Sequence, residues 1–342
     1  MKILVTGGSG YIGTPLCVAL SERHEVTSWD PGMFGHHLGT ARDRIALCER
    51  RVQQMSREDL RTLEPDWIVH LAGFSNDPMA DFAPALNWAE NMEATRIVGG
   101  LAAELGVPLL FASSASVYGY RTTRPLTEAD PVEPIGHYSQ SKAAAESWLL
   151  EHHPRAVILR QGTVMGTSAR MRLDLLTNGM TKDGWAQGAV RVLYGGREVR
   201  PQVHVLDLVD AYVHILESQT VPPGIYNVAT TSDRVIDVAA AIAEQLREIL
   251  GREVRLEVDD TPRRLRSYAL ETDKIRSAIE WRPRFGIRET VQELCRTLGE
   301  IDPEDPRCYN IRWMRLLHEA QAILGRVGPI DVSGGSAIEG RE

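Results

Sequence analysis

The chain opens with a short apolar run, Lys2-Ile-Leu-Val-Thr6, then a glycine-rich segment, then an amphipathic stretch over 11–21. That order predicts a strand, a tight turn and a helix. Similar apolar runs recur at 66–73, 108–114 and 156–160, and His24-Glu-Val-Thr-Ser-Trp-Asp30 reads as a second strand ending in an acid. Two long helix-periodic segments stand among them, 87–105 and one running from Tyr138 to 150. Strands alternating with helices over the first 160 residues predict a parallel sheet covered on both faces. Ligands of such sheets bind at the carboxyl ends of the strands, where Gly7, Asp30, Ala72 and Ser114 all fall.

After Gly166 the pattern loosens. It predicts a helix over 171–180, strands at 190–194 and 203–205, and a helix over 208–218. A strand at 225–228, a strongly amphipathic helix over 235–250 and a strand at 254–258 follow, with a last amphipathic helix at 310–324. The arginine-rich stretch 43–54 carries no assigned element. There is no internal repeat, and Ser333-Gly-Gly-Ser-Ala-Ile-Glu-Gly-Arg-Glu342 reads as a flexible linker with a protease-site remnant.

Composition narrows the class. At 342 residues there is room for one large domain with a lobe, or for two domains. A hydrophobic fraction of 43% and a charged fraction of 25% are those of an ordinary globular protein, with no membrane-spanning apolar run. Net charge −8 argues against nonspecific binding to nucleic acid, but leaves room for a local basic pocket holding an anionic small molecule. Four scattered cysteines, Cys17, Cys48, Cys295 and Cys308, without Cys-x-x-Cys spacing or a signal peptide, point to a reduced, cytoplasmic setting. The ten histidines form no metal-type cluster, and no metal is expected.

Three features carry chemistry. In Thr6-Gly7-Gly8-Ser9-Gly10-Tyr11-Ile12-Gly13 the glycines let the backbone turn sharply and approach a pyrophosphate lying on the helix amino terminus. Asp30, about 20 residues beyond the glycines at the end of the second strand, is placed to accept hydrogen bonds from an adenosine ribose, and it would repel a 2′-phosphate. NAD is therefore favoured over NADP. Tyr138 and Lys142, four apart on one helix, share a face, so an ammonium near the ring is expected to lower the tyrosine pKa from ~10 towards neutrality and make it a general acid or base.

With these residues placed, the chain resembles the extended short-chain dehydrogenase/reductase family, in particular its NAD-dependent nucleotide-sugar epimerases and dehydratases. Thr6–Gly13 matches the family's glycine motif, Leu71-Ala72-Gly73 its strand-end cofactor contact, Ser113–Gly119 its catalytic serine segment, and Tyr138-x-x-x-Lys142 its paired motif. The resemblance implies a doubly wound parallel Rossmann sheet with a smaller C-terminal α/β substrate lobe. The corresponding bounds are 1–168 for the NAD-binding domain and 169–302 for the lobe, which has the option of returning strands to the first domain. A helical extension covers 303–330 and the linker 331–342.

It also implies roles. Ser114 would hydrogen-bond the reacting sugar oxygen, Tyr138 serve as acid and base, and Lys142 hold the nicotinamide ribose. Gly7, Gly10, Tyr11, Ile12, Gly13, Asp30, Leu71, Ala72, Gly73 and Asn91 would bind NAD, while Ser116, Asn178, Arg200 and Arg266 would bind a nucleotide-diphosphate sugar. Two guanidiniums suit a diphosphate, which each can grip with paired hydrogen bonds. A homodimer through the helices around Asn91 and Lys142 is implied as well. Dehydratases of the family carry Asp-Glu just after the catalytic hydroxyl, and decarboxylating members a glutamate at the second of those positions; here they are Ala115 and Ser116. The expectation is therefore a 4-epimerase, with a 4-ketoreductase of a 4-keto-6-deoxy nucleotide sugar as the alternative. Retention of Ser114, Tyr138 and Lys142 argues against a non-catalytic dinucleotide sensor.

Overall fold

The computed structural model describes residues 1–120, 124–218, 220–263 and 266–327, without the side chains of 323–327. The linker expected at 331–342 lies outside them. Twelve strands are present among the described residues: β1 Lys2–Thr6, β2 Glu25–Trp29, β3 Ile45–Cys48, β4 Trp67–His70, β5 Leu109–Ser114, β6 Ala156–Gln161, β7 Thr163–Met165, β8 Ala189–Val192, β9 Val199–His204, β10 Gly224–Val228, β11 Thr231–Arg234 and β12 Arg255–Val258. Seven of them form one parallel sheet in the order β10-β6-β5-β4-β1-β2-β3.

Central strands of this kind are hydrophobic on both sides because helices cover both faces. One face packs Leu16, Leu20, Leu208, Tyr212 and Leu216, from the helices Gly13–Leu20 and Val205–Ser218, on Ile3, Val5 and Leu159. The other packs Val98, Ala102, Ala145 and Leu149, from Ala94–Leu105 and His137–His152, on Leu4, Ile68, Phe111 and Ile158. A separate core joins Val190 and Val192 of β8 to Ile242, Leu246 and Val291 on the helices Val235–Leu250 and Ile287–Leu298. Around it, β7-β9-β11 and β8-β12 make two small sheets. The chain then returns β10 to the main sheet beside β6, in parallel.

Four elements depart from the periodicity. The stretch 43–54 supplies β3, the edge of the main sheet, where arginines lie in the flanking turns instead of in the strand. The helix expected over 87–105 is three joined pieces, Pro84–Trp88, a π-helical turn Ala89–Glu93, and Ala94–Leu105. The helix expected at 171–180 begins only at Leu176 and runs to Gln187. Side chains hold the residues before it in an extended loop: Asn178 Oδ1 accepts from the Gly166 N–H at 2.9 Å, Glu293 Oε1 from the Thr167 N–H at 2.7 Å, and Asp174 grips Arg172. Finally, β9 extends over Val199–His204 and the next helix starts at Val205.

Candidate functional site

The glycine turn brings three backbone segments into contact. Gly7 has φ +76°, and a Cβ there would lie 2.6 Å from the Ala72 nitrogen; a Cβ on Gly13 would overlap the Gly7 carbonyl oxygen. Only bare backbone fits, and it leaves the amino end of Gly13–Leu20 open to an adjoining cleft. Gly7, Gly10, Tyr11, Ile12, Gly13, Leu71 and Gly73 line this cleft. Asp30 stands at the carboxyl end of β2, where its oxygens accept from the Ser9 N–H at 3.2 Å and the Gly32 N–H at 2.8 Å. Burial raises its pKa, against those two hydrogen bonds.

Ser114, Tyr138 and Lys142 meet at the far end of the same cleft, with Ser116 beside them. The Ser114 hydroxyl donates to Ser116 Oγ at 3.0 Å and hydrogen-bonds the Tyr138 phenol. The expected coupling of Tyr138 to Lys142 is not present. Lys142 Nζ donates instead to the Ala112 carbonyl at 2.9 Å and lies 4.8 Å from the Phe111 ring centre. Tyr138 is accordingly pushed up to about 12, by burial above all and against the Ser114 hydrogen bond, and Lys142 is pulled down to about 8 by burial. The helix alignment places the two on one face, but the lysine turns towards the sheet.

Behind this end a buried ion pair fixes helix to strand. Arg160 of β6 donates to both oxygens of Glu146, at 3.1 Å and 2.7 Å to Oε2 and 3.2 Å to Oε1. Ser113 of β5 donates to the same carboxylate, and Arg160 also donates to the Tyr118 hydroxyl at 2.9 Å. Glu146 lies two turns after Tyr138 on its helix, so the pair holds the phenol's helix against the strand that presents Ser114.

Arg200 and Arg266 are brought together, Arg200 donating to the Arg266 carbonyl. Arg266 donates to Ser139 Oγ at 2.7 Å and pairs with Asp77. Two arginines that sequence reasoning missed, Arg170 and Arg172, also line the cleft, together with Thr163, Tyr268, Asn310 and Asp77. Four arginines and Lys142 thus face one described carboxylate, in a protein of net charge −8. The signal for the missed pair lay in the alternation Arg170-Met171-Arg172-Leu173, charges spaced among residues that the fold buries.

Four expected contacts lie outside the cleft lining, Asp30 among them, its carboxylate accepting from the Ser9 and Gly32 N–H groups at the end of β2. Ala72 packs under Gly7 outside the cleft lining. Asn91 is buried in the π-helical turn, where its amide donates to the Phe74 carbonyl at 3.0 Å, Asn87 Oδ1 at 2.9 Å and Ser141 Oγ at 3.0 Å. Asn178 is likewise consumed by protein, its amide donating to the carbonyls of Gly166 at 3.0 Å and Arg172 at 2.9 Å and to the Tyr11 hydroxyl at 3.1 Å. Both are scaffold residues, one holding the 73–74 loop to the Tyr138 helix and the other holding the 166–172 loop.

The sheet order, the glycine turn and the Ser-Tyr-Lys end of the cleft together define a parallel α/β protein of the dinucleotide-binding class. More narrowly, the chain belongs to the NAD dependent epimerase/dehydratase family, whose model matches residues 3–229. It is an enzyme family of the extended short-chain dehydrogenase/reductase type, with NAD as its cofactor. The chain is similar to UDP-glucuronic acid decarboxylase 6 of Arabidopsis thaliana, 26% identical over 305 residues, covering 84% of this chain and 86% of that one. It is similar to UDP-glucose 4-epimerase of Bacillus subtilis (strain 168), 26% identical over 332 residues, covering 84% and 94%. A solved NAD dependent NDP-hexosamine 5,6-dehydratase of tunicamycin biosynthesis shares its fold with a TM-score of 0.77 at 24% identity, over 89% of this chain and 99% of that one. No helix among the described residues is long and apolar enough to cross a membrane.

Proposed function

We propose that the protein is an NAD-dependent nucleotide-sugar epimerase acting at carbon 4 through a transient 4-keto intermediate. The observation that carries this is the lining of the cleft beside Ser114 and Tyr138. Asp77 is its one described carboxylate and is committed to Arg266, while Ala115 and Ser116 supply no acid or base. Eliminating water calls for a second acid–base pair besides the phenol, and that pair is missing. The glutamate of the decarboxylating branch is replaced by Ser116 in the same way. The likeness to UDP-glucose 4-epimerase supports the reading.

The bare glycine turn at the helix amino end fits a pyrophosphate, and Asp30 fits a ribose hydroxyl, so NAD suits the residues present. Bound NAD supplies the acceptance and return of a hydride. Lys142 would hold the nicotinamide ribose, and Arg200 with Arg266 the diphosphate of the sugar nucleotide. Tyr138 would take the proton of the C4 hydroxyl and return it to the same oxygen after the 4-keto sugar has turned over to be reduced from its other face, with Ser114 orienting the oxygen. Because burial holds Tyr138 at about 12, its use as a base requires added positive charge beside it to stabilise phenolate. Exposed Trp88 and Leu150, on the helices Pro84–Trp88 and His137–His152, suit a homodimer built on those helices, working in the cytoplasm.

The test is incubation with UDP-glucose and NAD. Net inversion at C4 without consumption of cofactor is the expected result, and Tyr138→Phe should abolish it while sparing NAD binding. NADH consumed on a 4-keto-6-deoxy nucleotide sugar, with no inversion of any UDP sugar, would establish the ketoreductase instead.

A further inference from the structure

Asn310 opens the helix Asn310–Val327, well beyond the 3–229 stretch that the family model matches, yet it reaches back to line the cleft. Its Oδ1 accepts from Arg170 Nη2 at 2.5 Å, its Nδ2 donates to Ser75 Oγ at 3.1 Å, and its backbone N–H donates to Asp174 Oδ2 at 3.1 Å. Two further contacts hold the helix in place. Trp313 Nε1 donates to the Met33 carbonyl at 2.7 Å, and Met314 packs with Phe74 and Met79.

Arg170 is 3% exposed, and its guanidinium lies 3.8 Å from the Phe34 ring centre. Its Nε–H is buried without a partner, and the neighbouring carboxylate, Asp174, is bonded to Arg172 through both oxygens. A guanidinium this deeply buried is ordinarily paired with a carboxylate, because an amide oxygen offsets little of the cost of desolvating a full charge. Burial and the adjacent Arg172 both disfavour its charged form. Stacking on Phe34 fixes the plane of the group, Asn310 occupies one nitrogen, and the side chain lines the cleft with its Nε–H still without an acceptor.

We propose that Arg170, presented by Asn310 of the C-terminal segment, is an anion anchor of the ligand cleft, taking a phosphate or carboxylate oxygen. It is separate from Arg200 and Arg266, which are held to one another and to Ser139 and Asp77. Two ligands could supply that oxygen. Phe34 lies in the loop after Asp30, on the dinucleotide side, which suits the NAD pyrophosphate. An acidic group on the sugar is the other source, and that arm rests on the nucleotide-sugar reading.

Isothermal titration calorimetry of the full chain with NAD, UDP-glucose and UDP-glucuronic acid separates them. Loss of one charge-assisted hydrogen bond should weaken the affected ligand by about tenfold or more in Arg170→Gln. Weakened NAD assigns the anchor to the cofactor; weakened UDP-glucuronic acid with UDP-glucose spared assigns it to the sugar. Asn310→Asp, which leaves Arg170 in place but neutralises it, should weaken the same ligand, so an unstable Arg170→Gln does not decide the matter. NAD affinity within about twofold of wild type in both variants, with no change in discrimination between the two UDP sugars, overturns the proposal.

Discussion

Lys142 donates to the carbonyl of Ala112 instead of to the phenol four residues before it on its own helix. The contact ties the ammonium to the end of β5, over Phe111, in a place where burial favours the neutral amine. Its folded pKa of about 8 lies below the ordinary 10.5, so between those values the unfolded chain binds a proton that the folded chain lacks. Stability contributed by this group therefore rises with pH across the window and is constant below it. Lys142→Met removes the effect. The melting-temperature difference between wild type and variant should move in favour of wild type as pH is raised from 8 towards 10.5, and a flat difference would refute the assignment.

Tyr138 titrates in the opposite sense. Burial pushes it up to about 12, so the ligand-free protein should show no tyrosinate from this residue at neutral pH. An ultraviolet difference titration of wild type against Tyr138→Phe checks this. A component titrating near neutrality and lost in the variant would mean that the lysine does reach the ring in solution.

The Glu146–Arg160 pair is buried on both sides, with 3% and 5% of the side chains exposed. Removing one partner leaves an uncompensated charge, and either Glu146→Leu or Arg160→Met should cost about 3–5 kcal/mol by urea denaturation. The double variant should recover much of that loss. Equal losses in single and double variants would show that the pair does not act as a unit.

Glycines should respond unequally to alanine. At Gly13 the new methyl meets the Gly7 carbonyl oxygen, which is backbone and cannot yield, so Gly13→Ala should destabilise by about 1–3 kcal/mol and abolish NAD binding. Gly100 lies inside the helix Ala94–Leu105, and a Cβ there is 3.7 Å from Trp148, an ordinary contact. Gly100→Ala should stabilise by about 0.5–1 kcal/mol. Thermal melts and NAD calorimetry on the two variants read both effects.

Asn178→Ala should act on the fold. It strips partners from the Gly166 N–H and carbonyl and from the Tyr11 hydroxyl, costing about 1–3 kcal/mol. A loss of nucleotide-sugar affinity with no loss of stability would return Asn178 to the ligand.

Periodicity and local chemistry made six of the seven strands of the main sheet legible, because β1, β4, β5 and β6 carry apolar runs and each glycine of the first turn has a steric reason to be there, whereas the short edge strand β3 stands between arginine-rich turns. The glycine turn and the Tyr138-Lys142 pair were picked out by motif spacing, and Ser114 by the resemblance to the family; all of them line one cleft. What spacing cannot show is where a side chain goes: Lys142 is on the expected face but bonds Ala112, and the amide nitrogens of Asn91 and Asn178 are of the right type but donate to other groups of the protein. Arg170, Arg172 and Asn310 were hidden for a different reason. They are far apart in sequence, and only long-range folding of the 166–175 loop and the last helix brings them to one wall.

The return of β10 to the main sheet has a consequence for how the two halves can be handled. Gly224–Val228 covers one edge of β6, along Val157, Ile158 and Leu159. A fragment cut near residue 168 would keep every motif of the dinucleotide half yet expose that strand as a bare, flat, apolar edge, a template for pairing with other chains. Such a fragment is expected to aggregate, so the first half is a unit of chemistry but not a unit that can be expressed alone.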